Sequence, residues 1–104
     1  MDQSKRKRLE AGGWKIGTAK EFLRLSDAEE TLVELRVALA NSIRKERRKR
    51  RLSQMELARQ LGSSQSRVAK MEAGDPGVTL DLQIRALVSL GATRKEVARA
   101  VASA

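Results

Sequence analysis

The chain has 104 residues, and its 22 Lys and Arg against 13 Asp and Glu give a formal net charge of +9, so we expect one compact domain with an anionic partner. It contains neither Cys nor His, which excludes zinc fingers, thiol catalysis and imidazole acid–base chemistry, and we therefore expect no enzyme, no metal and no cofactor. Only 2% of the residues are aromatic, which argues against the stacking surfaces that bind single-stranded nucleic acid and favours double-stranded DNA.

The N-terminal region is set apart by its composition. Residues 1–13 hold a basic run, Lys5 to Arg8, and almost no apolar side chains, so we predict a disordered basic tail. Residues 14–38 are predicted to form an N-terminal extension, a short helix plus the first half of a long one, before the main domain at residues 39–104. No apolar signal-peptide core follows the basic run and no apolar stretch is long enough to cross a membrane, which predicts a cytoplasmic, nucleoid-associated protein.

A Ser/Thr-x-x-Glu pattern recurs along the chain. In this pattern the hydroxyl accepts a hydrogen bond from a free N–H group at the start of a helix, and the glutamate reaches back to the capping residue. Since each copy stands before an apolar-periodic segment, the four copies predict an all-α chain. The capping residues are Thr18, Ser26, Ser53 and Thr93, paired with Glu21, Glu29, Glu56 and Glu96.

The longest predicted helix runs from Ser26 to about Arg50 without Gly or Pro. Its apolar band is wider than one packing partner needs. The first half of this helix therefore either contacts a second subunit or a partner protein, or covers the core of its own chain. The band consists of Leu32, Leu35, Leu39 and Ile43, with Val33, Val37 and Ala40 beside them.

Two shorter helices follow. The first begins after Ser53 and ends at Gly62, and the second begins at Ser64 and ends at Gly74, because glycine readily takes the positive φ that ends a helix. Residues 75–77, Asp-Pro-Gly, then form a turn, since proline cannot continue a helix. Residues 54–73 thus have the spacing of a DNA-binding helix-turn-helix.

Two further helices complete the predicted set of five. Thr79 caps the fourth helix, which ends at Gly91, and Thr93 opens the fifth. Their apolar positions are Leu80, Ile84, Leu87 and Val88 in the fourth helix and Val97 and Val101 in the fifth, where the two valines are expected to form a buried stripe.

The second helix of the helix-turn-helix has two distinct faces. At 100° per residue, Val68 and Met71 fall on one side, which we expect to pack on the preceding helix. The opposite side suits the major groove of DNA, because small residues permit close approach and polar ones bond to bases or phosphates. An ordinary solvated helix face is the alternative interpretation. The outward set consists of Ser66, Ala69, Lys70 and Ala73, with Gln65 and Arg67 at its edges.

Three segments carry a family resemblance: LSQMELA at 52–58, GSSQSRV at 62–68 and MEAG at 71–74. Over residues 39–91 the chain resembles the lambda-repressor-like, or Cro/XRE, family of regulators. The resemblance implies a five-helix all-α fold, here with an N-terminal helical extension, that acts as a sequence-specific transcriptional repressor or autoregulator. It also implies a homodimer on a palindromic operator in double-stranded DNA, with half-sites about 34–36 Å apart.

The resemblance also assigns roles to residues. It implies that Gln54 braces Gln65 and touches a phosphate, while Gln65 reads a base, often adenine. Ser66 and Lys70 match further base-contacting positions, and Arg67 matches a phosphate or base contact. The predicted DNA-binding set is Arg51, Gln54, Ser64, Gln65, Ser66, Arg67 and Lys70, and the implied structural pair is Arg47 with Glu72.

The sequence departs from the family pattern at three places. Arg51 stands where relatives commonly have Gly, and Ser63 where they have a small apolar residue. The Asp-Pro-Gly turn at 75–77 replaces basic residues that grip phosphate in many relatives. Seven cations at the end of the long helix either compensate for that loss or complement the helix macrodipole. They are Arg44, Lys45, Arg47, Arg48, Lys49, Arg50 and Arg51.

Residues 17–26, leading into the long helix, are similar to XRE antitoxins of the HigA kind. That resemblance implies an mRNA-cleaving toxin partner of the HigB/RelE kind and repression of the chain's own operon, although the positive charge argues against a basic partner. The alternative is a protein-interaction module with the same fold and only non-specific DNA affinity, which predicts a steep salt dependence without sequence preference.

Overall fold

The computed structural model describes residues 26–104, and the secondary structure of that part consists of five α-helices without a strand. The chain divides into two units, residues 1–32 and 33–104, and the first helix begins in one and continues into the other. The predicted basic tail, the Thr18 cap and the start of the extension lie outside the described residues. The helices are α1 (Asp27–Lys49), α2 (Gln54–Leu61), α3 (Gln65–Ala73), α4 (Leu80–Ser89) and α5 (Arg94–Ala102).

The predicted capping residues begin the helices. Ser53 and Thr93 form complete capping boxes, in which the hydroxyl accepts from the N–H of the third helical residue and that residue's carboxylate accepts from the capping N–H. The Ser26 hydroxyl accepts from the N–H of Glu29 at 3.1 Å. The predicted helix starts are therefore confirmed within the described residues.

Four helix ends share one geometry. The last residues of each helix are followed by one residue with positive φ, and the next N–H donates back to a carbonyl five residues earlier, which is a Schellman motif. Gly62, Gly74 and Gly91 take the positive φ after α2, α3 and α4. After α1 the same position is held by Arg51, with φ of 57°. A side chain with Cβ disfavours this conformation, so Arg51 is held there by the surrounding bonds.

The core of residues 33–104 lies where α1 to α4 meet. Leu39 and Ile43 of α1 are buried against Leu57, Met71 and Leu87. Helix α5 covers this core with partly buried side chains alone, including Val97. The domain is thus an all-α helix-turn-helix domain in which α3 is packed on its inner side by three other elements.

The expected buried stripe of the fifth helix is wrong at Val101, and the buried side of α4 differs from its apolar pattern. Val101 is 36% exposed, since α5 lies at the margin of the core and contacts it mainly through Val97 and Ala100. Val88 is 55% exposed, because the buried stripe of α4 runs through Gln83 and Leu87 instead. A glutamine therefore occupies a core position of α4 that the apolar pattern did not predict.

Candidate nucleic-acid interface

Helices α2 and α3 form a helix-turn-helix whose turn is residues 62–64. Gly62 has φ of 65° and no atom within 4 Å of the place where a Cβ would lie, so glycine is required here for its backbone angle and not for space. Ser64 caps α3 by accepting from the N–H of Arg67 at 3.1 Å. The turn and the cap together fix the direction in which α3 leaves α2.

The two sides of α3 differ sharply in exposure. Val68 and Met71 are fully buried, whereas the predicted outward set is exposed at every position. Among residues 26–104, the side chains of Gln65, Ser66 and Lys70 make no hydrogen bond and no ion pair. The outer side of α3 therefore offers polar groups with nothing to satisfy them except solvent or a ligand.

An ion pair between partly buried Arg47 and buried Glu72 connects α3 to α1. Arg47 donates from Nε to Glu72 Oε2 at 2.6 Å and from Nη2 to Glu72 Oε1 at 2.9 Å, and its Nη1 donates to the carbonyl of Leu52 at 2.8 Å. The hydrogen bond with the Glu72 carboxylate raises the pKa of Arg47. The structure thus brings together the two residues that the family resemblance assigns to a structural pair.

The structure places Gln54 differently from the role that the resemblance implies. Gln54 Nε2 donates to Glu72 Oε1 at 3.3 Å, and no hydrogen bond between Gln54 and Gln65 exists in the described part of the chain. A buried carboxylate is a stronger acceptor than the amide oxygen of an exposed glutamine, which explains the preference. The amide oxygen of Gln54 remains unpaired at the start of α2.

The seven cations at the end of α1 do not form one surface. Arg47 forms an ion pair with Glu72, and Arg44 donates a hydrogen bond to Asn41 within α1. Arg50 lies over the turn between α4 and α5, where a Cβ on Gly91 would come within 2.6 Å of its guanidinium. Hydrogen bonds from Thr93, with smaller contributions from the charges of Arg99 and Lys49, lower the pKa of Glu96 in α5. Of the seven, Arg51 lies next in sequence to the start of α2.

Besides the Arg47–Glu72 pair, a second clamp holds α3: the hydrogen bonds of Gln83, which were not predicted from the sequence. Gln83 is fully buried, and its Nε2 donates to the carbonyl of Arg36 at 3.0 Å and to that of Met71 at 3.1 Å. The Met71 carbonyl lies in the last turn of α3 and also accepts a longer hydrogen bond of 3.4 Å from the N–H of Gly74, so Gln83 adds a second cap to this helix end from α4. The signal in the sequence is a glutamine four residues before Leu87 in the segment LDLQIRAL at 80–87, on the same side of the helix as that leucine.

The fold, the turn and the exposed polar side of α3 define a DNA-binding helix-turn-helix domain. The model of the helix-turn-helix domain family matches residues 38–100, more than half of the chain, and the chain belongs to this family. No curated protein and no solved structure matched the chain. Within residues 26–104, no helix has the length and apolar content needed to cross a membrane.

Proposed function

We propose that this chain is a sequence-specific transcriptional regulator of the Cro/XRE kind that represses from an operator in double-stranded DNA. The observation that supports the proposal is the contrast within α3. Its inner side is fixed by packing and by the Arg47–Glu72 pair, while Gln65, Ser66 and Lys70 stand exposed and unpaired on the outer side. A rigid helix with free polar groups on one side fits the major groove, which is wide enough to admit it.

Each outward side chain has a role that its chemistry permits. The amide of Gln65 can bond to both N6 and N7 of adenine, and the ammonium of Lys70 can donate to O6 and N7 of guanine. Ser66 can bond to either kind of base edge. Ala69, next to Lys70, and Ala73, one turn further along, also lie on the exposed side, and their small side chains permit close approach of the helix to DNA.

Three residues outside this set are proposed to orient the helix on the phosphates. The free amide oxygen of Gln54 is an acceptor for Gln65, so the brace that is absent in the free chain forms when α3 is bound. The hydroxyl of Ser64 accepts from an N–H but keeps its own proton for donation to a phosphate. Arg51 supplies a charge beside the start of α2.

We further propose a homodimer that binds a palindromic operator with half-sites about 34–36 Å apart, and residues 39–104 as the DNA-binding domain. A two-fold symmetric operator requires a two-fold symmetric protein, because each α3 reads one half-site. The mass of the free protein and the symmetry of the selected sites test this part of the proposal together.

The test is selection of bound sequences from a random DNA pool, followed by binding measurements on the selected duplex and on a scrambled one. Gln65→Ala and Lys70→Ala are each expected to reduce the preference for the selected duplex by about 1–3 kcal/mol, the usual contribution of a bidentate base contact. Lys95→Ala, which removes an exposed cation from α5, is the control and should leave the preference unchanged. Unchanged discrimination in both α3 variants would show that α3 is not the reading helix.

A narrower version of this proposal is an antitoxin that also neutralises a HigB/RelE-like toxin. It is supported by the resemblance of residues 17–26 alone, of which only Ser26 lies within the described residues. Co-purification from a host that carries the neighbouring gene tests it. A selection experiment that yields no preferred sequence, with steeply salt-dependent binding, would instead favour the protein-interaction module.

A further inference from the structure

A recess of about 350 Å³ lies beside α3, where the loop after Gly74 leads into α4. One wall is the side chain of Arg67 from the first turn of α3, and another is Arg85 from the middle of α4. The remaining lining residues are Gly77, Thr79, Asp81 and Leu82.

The charged groups of this recess are unpaired. Arg67 and Arg85 are exposed, and neither guanidinium has a hydrogen bond or ion pair with any residue in 26–104. Asp81 precedes Arg85 by one helical turn but makes no ion pair with it within the same residues. Arg47 provides the contrast, because this structural arginine forms its hydrogen bonds with Glu72 and with the carbonyl of Leu52. Two free guanidiniums at one recess point to an external anion.

The position of the recess indicates which anion. Arg67 lies at the edge of the outward side of α3, three residues before Lys70, and it also lines the recess. When a helix enters the major groove, side chains at its edge face the phosphates that border the groove. The planar fork of arginine matches the oxygens of a phosphate.

The loop itself is poorly suited to this contact. It carries Asp75, whose carboxylate accepts from the N–H of Gly77 at 2.7 Å, so that backbone donor is already used. Its turn contains no basic residue. A phosphate approaching this side of α3 therefore meets α4 rather than the loop.

We propose that Arg85, together with Arg67, binds a backbone phosphate of the DNA, and that this recess takes over the contact that the Asp-Pro-Gly turn does not provide. The inference rests on the proposed function, because it places the DNA on the outer side of α3. Asp81 then opposes the same phosphate, so removing its charge strengthens binding.

The experiment measures affinity by fluorescence anisotropy over a salt series, with the selected duplex and with a scrambled duplex as separate probes. Arg85→Gln is expected to reduce the slope of log affinity against log salt by about 0.9, the value for one lost phosphate contact, on both duplexes. The preference for the selected duplex should not change, since phosphates carry no base identity. Arg67→Gln should reduce the slope similarly.

Asp81→Asn is expected to raise affinity about threefold, by removing a like charge near the phosphate. A gain in affinity cannot result from a folding defect. Arg94→Gln, at an exposed position on α5, is the matched control and should leave the slope within error. If Arg85→Gln keeps the wild-type slope, or if Asp81→Asn does not strengthen binding, the phosphate site is wrong. Equal affinity of the wild-type protein for the selected and the scrambled duplex would instead overturn the proposed function. The two failures are distinguishable, since the salt slope and the preference are measured on both duplexes.

Discussion

The two sides of α3 use polar residues in opposite ways. On the inner side the carboxylate of Glu72 receives bonds from Arg47 and Gln54, and the Met71 carbonyl receives one from Gln83. On the outer side Gln65 and its polar neighbours have no partner among the described residues. Polar groups buried without partners are costly, and within residues 26–104 the Oε1 of Gln83 is the one buried side-chain nitrogen or oxygen left without a hydrogen bond, whereas the exposed groups are free for a ligand. The contacts of the inner side therefore hold α3 in place, and the outer side exposes its polar side chains to a ligand.

The largest effect is expected from breaking the buried ion pair. Arg47→Met leaves the buried carboxyl group of Glu72 without its cationic partner and should lower the free energy of unfolding by about 3–5 kcal/mol, measured by urea denaturation. Arg48→Met, at an exposed neighbouring position, is the control and should change stability little. Replacing both Arg47 and Glu72 by Met should recover much of the loss. A loss below about 1 kcal/mol in Arg47→Met would contradict a fixing role for the pair.

A smaller loss is expected at the second clamp. Gln83→Ala removes two hydrogen bonds to buried carbonyls and leaves a cavity, and we expect a loss of about 2 kcal/mol in the free energy of unfolding. Gln65→Ala, on the outer side of α3, should change stability by less than about 0.5 kcal/mol. Equal effects of the two substitutions in thermal unfolding would erase the contrast between the two sides.

Arg51, after the end of α1, tests the contrast between structural and outward-facing polar residues. Its charge is exposed, and its φ of 57° is unfavourable for a residue with a Cβ. Arg51→Gly should raise the free energy of unfolding by about 1 kcal/mol, since glycine takes positive φ without a Cβ penalty. The same variant should bind the selected duplex more weakly. Arg51→Ala separates the two effects, because it removes the charge and keeps the Cβ. A stabilised Arg51→Gly with unchanged DNA affinity would show that this charge does not contact DNA.

The smallest effect is expected at the capping boxes, which lie away from both sides of α3. The backbone N–H of Ser53 and that of Thr93 bind the carboxylates of Glu56 and Glu96 and lower the pKa of each below its ordinary value of 4.5. Because the folded pKa is depressed, this stabilisation is present above pH 4.5 and is lost as the pH falls through the folded pKa. The double variant Glu56→Gln, Glu96→Gln should show a smaller fall in melting temperature between pH 6 and pH 3 than the wild-type protein. An identical fall would contradict the assignment.

Local chemistry made the helices and the outward side of α3 predictable. A capping box involves residues three positions apart, and a Schellman motif needs one residue with positive φ, so both can be read from a few neighbouring residues. The period of 3.6 residues likewise separates Val68 and Met71 from Gln65 and Lys70 without knowledge of the rest of the fold. The family resemblance added the pairing of Arg47 with Glu72, which no local rule contains.

Tertiary structure decided which partner each polar side chain takes. Gln54 donates to Glu72, and Gln83 is buried while Val88 is exposed, because the packing of α4 and the end of α1 sets which groups are buried together. The same packing places the Arg50 guanidinium against Gly91 and leaves Val101 at the margin of the core. Sequence alone determined where each helix begins and ends and which way α3 faces, since those depend on contacts within one or two turns. The partners of the buried polar groups depend on residues up to 47 positions apart, and only the folded chain brings those together.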